Sequence, residues 1–101
     1  DLAELHAAAS PSTDADRALL AGYWFQFVQG ESEFGAQAIN SALKNLGHGV
    51  SNITSAFETL KAQKPALVMQ LKKAGTSKQA RKTYKLTAAG KNAVELLIGQ
   101  H

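Results

Sequence analysis

Two groups of residues have types and spacing that point to chemistry. At about 100° per residue, Ser51, Asn52, Ser55, Glu58, Thr59 and Ala62 share one side of a helix, while Val50, Ile53, Phe57 and Leu60 share the other. The first side is small and uncharged except for Glu58, so it can approach another surface closely. Hydroxyl and amide groups bond phosphate oxygens and base edges alike, and the same residues also suit a plain solvated face or a protein interface. The second group is cationic: Lys72, Lys73, Lys78, Arg81 and Lys82. From Lys73 to Arg81 no apolar residue is larger than alanine. Such a stretch folds inward only at high cost, so it is expected to project into water, as a basic loop for a polyanion or as an ordinary solvated connection.

Other chemistry finds no footing. The three histidines, His6, His48 and His101, lie in different segments, and no pair has metal-ligand spacing; His48 is expected to cap or pack in its turn. There is no cysteine, which excludes disulfides, zinc-thiolate sites and thiol nucleophiles. Gly47-His48-Gly49 lacks the third glycine of a dinucleotide loop. Ala74-Gly75-Thr76-Ser77-Lys78 lacks the phosphate-binding Gly-Lys-Ser/Thr order, and both read as turns. Asn52-Ile53-Thr54 has glycosylation spacing but falls inside the expected helix. Carboxylates are scattered, with no acid/base pair. The expectation is a protein that is not an enzyme and uses no cofactor or metal. Tyr23-Trp24-Phe25 sits in a helical pattern, where aromatics belong to a core rather than to a base-stacking platform.

The 101 residues suffice for one domain with a real core, and 45% of them are hydrophobic. No apolar run approaches the roughly 18 residues of a membrane span, and the start, with Asp1 and Glu4, lacks the basic region of a signal peptide. A soluble, intracellular (cytoplasmic) protein is expected. The net charge of +3 is unevenly divided. Residues 1–58 hold two cationic side chains against seven carboxylates, a balance of −5; residues 59–101 hold nine against Glu95, a balance of +8. That asymmetry suits a polyanionic partner, or else aids solubility.

The elements that must position these groups follow from periodicity. Residues 1–12 read as an N-terminal extension, with a possible short helix before Pro11. Thr13 and Asp16 make a capping-box-like start for a helix from Asp14 to about Gln29, with Leu19 or Leu20, Tyr23 or Trp24, and Phe27 inward and one of Tyr23, Trp24 and Phe25 outward. Ser32 to Phe34 is a potential short strand. A second helix opens at Gly35-Ala36-Gln37, offers Ile39, Ala42, Leu43 and Leu46, and stops at Gly47. A third runs from Val50 or Ser51 to about Gln63, and Pro65 follows it. Leu67, Met69 and Leu71 alternate, as do Tyr84 and Leu86, which predicts two strands with those residues on the apolar face. Thr87 then caps a helix from Ala88 towards Ile98, with Ala89, Ala93, Val94 and Leu97 inward and Gly90 allowing close backbone approach. Residues 99–101 are expected to fray.

This order resembles the winged helix-turn-helix family over residues 14–98. The resemblance rests on Ala38-Ile39-Asn40-Ser41-Ala42-Leu43 through Leu46-Gly47, on Asn52-Ile53-Thr54-Ser55-Ala56-Phe57-Glu58-Thr59-Leu60, and on Tyr84-Lys85-Leu86-Thr87-Ala88-Ala89-Gly90. The last is similar to the Leu-Thr-x-x-Gly ending of many bacterial winged-helix regulators. It implies an α+β, mainly α fold: a three-helix core, a two- or three-stranded wing sheet and a C-terminal helix, together occupying residues 13–98. It also implies binding of double-stranded DNA, with Ser51, Asn52, Ser55 and Thr59 as groove contacts and Lys72, Lys73, Lys78, Arg81 and Lys82 as phosphate contacts. A regulator of transcription would pair as a homodimer, through residues 1–12 and the first helix. Where many members carry Arg or Gln on the third helix, position 55 here is serine, so general affinity is implied more than sequence-specific readout. Some winged helices instead bind proteins or RNA.

Overall fold

A computed structural model describes residues 1–71 and 83–99. Its elements are α1 (Leu2–Ala9), α2 (Asp14–Tyr23) continuing into a π-helical turn (Trp24–Val28), β1 (Phe34–Gly35), α3 (Ala36–Asn45), α4 (Ile53–Ala62), β2 (Val68–Leu71), β3 (Thr83–Leu86) and α5 (Ala88–Gly99). The fold is α+β and mainly helical, with five helices and one three-stranded antiparallel sheet among the described residues.

Helix starts are written locally in the chain. Side-chain oxygens accept from the open amides of the first turn: Asp1 from Glu4 at 2.9 Å, Thr13 from Asp16 at 3.0 Å, Asn52 from Ser55 at 3.0 Å and Thr87 from Gly90 at 3.1 Å. α3 stops at Gly47, whose φ of +83° is left-handed, as the sequence predicts. α1 ends less conventionally, on Ser10 at φ 48°.

The strands lie in the order β1-β3-β2. Phe34 is opposite Tyr84, Val68 opposite Leu86 and Gln70 opposite Tyr84. The short strand at Phe34 thus pairs with the later ribbon, as expected. Tyr84 stacks on Phe57 with ring centroids 4.7 Å apart, and Phe34 lies 5.9 Å from Phe57. Leu19, Leu20, Ile39, Leu43, Leu60, Val68 and Val94 close this core.

Four details depart from the sequence reading. In β2 the inward residue is Val68, while Met69 is 42% exposed, because β3 turns Tyr84 and Leu86 inward and the register places Val68 and Gln70 on that same face. Gln70 is tolerated there because its Oε1 accepts from Lys61 Nζ at 3.0 Å. In the second helical stretch, Gln29 N–H donates to the Trp24 carbonyl at 2.9 Å, an i to i−5 bond. This wider turn changes the phase of the helix: Phe27 is 43% exposed, whereas Tyr23, Trp24 and Phe25 are all half-buried. Gln26 gains reach, and its Oε1 accepts from Leu86 N–H at 2.8 Å. α4 begins at Ile53, leaving Ser51 in the preceding turn. Finally, α1 belongs to the common core, with Leu2, His6 and Ala9 buried against α2 and α5.

Candidate nucleic-acid interface

α4 is set against α3 by a short connection whose backbone is tied at both ends. His48 N–H donates to the Leu43 carbonyl at 2.9 Å, which closes the end of α3. Asn40, buried on α3, spans the connection: its Nδ2 donates to the Val50 carbonyl at 2.9 Å and its Oδ1 accepts from Val50 N–H at 2.8 Å. One side chain thereby satisfies both polar groups of a buried residue just before α4, fixing where that helix starts. Ile53, Phe57 and Leu60 then anchor α4 from below.

What remains outward is small and polar. Ser51, Asn52, Thr54, Ser55, Thr59 and Ala62 are exposed. Asn52 Oδ1 is engaged as the cap, so its Nδ2 is the part left for an external acceptor. The Thr59 hydroxyl donates back to the Ser55 carbonyl at 3.1 Å and retains its acceptor lone pairs. The Ser55 hydroxyl stands one turn from that cap. Glu58 is half-buried and pairs with Lys61 at 2.9 Å, so its charge is partly neutralised within α4. Thr54 joins this face although the helical wheel omits it, because with Asn52 as the cap it occupies the exposed first turn. The signal available in sequence was the Asn-x-x-Ser capping spacing.

Of the proposed contacts, the structure brings Ser51, Asn52, Ser55 and Thr59 onto one surface. Lys72, Lys73, Lys78, Arg81 and Lys82 lie outside the described residues, in the segment joining β2 to β3. Among the described residues no group of three or more His, Cys, Asp or Glu is placed to hold a metal ion. None of the described helices is long and apolar enough to cross a membrane.

One juxtaposition is invisible to spacing. His6 on α1 and His48 in the α3–α4 connection stack with ring centroids 4.1 Å apart and planes inclined by 14°. Burial, followed by the neighbouring His48 and Arg17 charges, holds His6 below the ordinary imidazole pKa of 6.5.

Comparison with known proteins finds no matching family model, no similar curated protein and no similar solved structure. Topology and surface chemistry therefore carry the functional reading.

Proposed function

We propose that the chain is a winged helix-turn-helix domain that binds double-stranded DNA, as a transcriptional regulator or the DNA-binding part of a larger assembly. The observation that carries the reading is the α3–α4 joint. α4 is held rigidly by the Asn40–Val50 pair and presents an outward face of Ser51, Asn52, Thr54, Ser55 and Thr59 with little unpaired charge. A helix used in this way fits a major groove closely, because its outward side chains are short apart from Glu58, whose charge is paired with Lys61. Affinity comes from the β2–β3 connection, where Lys72, Lys73, Lys78, Arg81 and Lys82 supply the cations that displace counterions from phosphates.

Positioning and reading are thus separate tasks, and they respond differently to substitution. Replacing Lys78, Arg81 and Lys82 together with alanine weakens binding to every duplex and lowers the salt slope of log K by about 3. Ser55→Ala changes preference among sequences and leaves that slope alone. A triple variant that binds duplexes like the parent would remove the connection from the mechanism.

A second reading, a winged helix that contacts proteins or RNA, draws on exposed apolar side chains outside α4, which the homodimer expected of a regulator could equally use. Val28 is 57% and Leu96 66% exposed, and the half-open Phe27 ring has Tyr23 at 5.1 Å between centroids and Lys91 Nζ at 5.4 Å from its own centroid. Light scattering at high concentration distinguishes a self-pairing chain from a monomer.

A further inference from the structure

We propose that the stacked His6–His48 pair is an acid-release latch, which holds α1 across the α3–α4 connection while the buried His6 ring is neutral and frees α1 when that ring is protonated. The inference does not rest on the DNA-binding reading.

α1 has eight residues, too few to persist as a helix by its own hydrogen bonds. It stays in place through packing, and its buried residues are Leu2, His6 and Ala9. The middle anchor is therefore ionisable. His6 is 9% exposed, and its Nε2 is buried with no hydrogen-bond partner. As a neutral ring it packs like an aromatic; as an imidazolium it would bury a charge with nothing to accept its second N–H.

The surroundings of His6 oppose that charge from two sides. From the α3–α4 connection His48 lies flat against it at 4.1 Å, so two protonated rings would repel at contact distance. From α2 comes Arg17, a cation whose guanidinium pairs at 3.2 Å with the Asp14 carboxylate. On α1 itself Asp1 and Glu4 are exposed in the first turn, and Asp1 Oδ1 accepts from Glu4 N–H. α5 brings Lys91 and Glu95, both exposed. His48 and Arg17 both act against the His6 charge, after burial itself.

The sign follows directly. Docked His6 binds a proton less readily than a free imidazole, so docking is complete above the ordinary pKa of 6.5 and weakens as pH falls below it. Release is confined to α1, because the connection beneath it is secured independently by His48 N–H to Leu43 and by Asn40 to Val50. A cavity of about 290 Å³ beside the pair, lined by Ala3, His6, Ala7, Ser10, Leu46 and His48, gives water a route to the stack.

Amide exchange of the intact chain, expressed as protection factors at about pH 7.5 and about pH 5, tests the latch. Expected is loss of protection at Leu5 and Ser10, whose N–H groups bond Asp1 and His6 carbonyls, with protection retained at Ala56 in α4. His6→Phe keeps an aromatic anchor without a titrating group and should hold α1 at both pH values. His48→Gln removes the opposing charge along with the stack, so α1 protection differs less between the two pH values than in the wild type. Wild-type α1 and α4 amides responding alike would overturn the proposal, as would acid release in His6→Phe. If His6→Phe does not fold, His48→Gln decides, since a loss of α1 protection on acidification as large as in the wild type contradicts the latch.

Discussion

Asn40 does the most for its size. Both atoms of its amide are spent on one residue, Val50, and through it on the position of α4. Asn40→Ala leaves a buried N–H and a buried carbonyl without partners, at a cost of about 2–3 kcal/mol. Urea denaturation measures this directly, and a loss below about 0.5 kcal/mol would mean that water takes over both bonds. Nothing in the sequence singles Asn40 out. It lies within an ordinary helical pattern, and its partner is ten residues away. Thr13, Gly47 and Thr87 were legible because each acts within three or four residues of itself. His6 and His48 were not, since only the docking of α1 brings them together.

At the scale of elements, the junction of the sheet with α5 is closely fitted. Thr87 N–H donates to the Leu67 carbonyl at 3.1 Å, and the Thr87 hydroxyl donates to the Ala66 carbonyl at 2.6 Å. Gly90 packs so closely that a Cβ would overlap the Leu67 carbonyl. Gly90→Ala is therefore expected to destabilise by about 2 kcal/mol despite the better helix propensity of alanine. Thermal or urea unfolding measures the change; an unchanged or higher stability would show that α5 can move away from β2 at no cost. The glycine was readable from its Leu-Thr-x-x-Gly context. The inward face of β2 was not. Leu67, Met69 and Leu71 alternate as well as Val68 and Gln70 do, and the choice falls to the register with β3, a nonlocal pairing. The π-helical turn was hidden for a related reason: its extra residue serves Gln26 in reaching Leu86, a contact across 60 positions.

For the whole molecule, the charge division gives the broadest clue. The carboxylates gather in residues 1–58, which build α1 to α3, β1 and most of α4, and the cations in residues 59–101, which hold β2, β3 and α5. Composition made this asymmetry plain before any fold was known, and periodicity located the helices, because both are properties of short stretches. Two features matter for function: a helix face bare of unpaired charge, and a connecting sequence rich in cations. Many basic residues contribute to binding only when they act together on a polyanion. The decisive measurement is a fluorescence-anisotropy titration of a random-sequence duplex and a matched single strand at several salt concentrations. Duplex binding that falls with salt, with a slope of log K against log salt near about −4.5 when all five connection cations engage phosphates, is the predicted result. Absence of duplex binding at low salt would contradict it and reassign the basic half to an acidic protein surface.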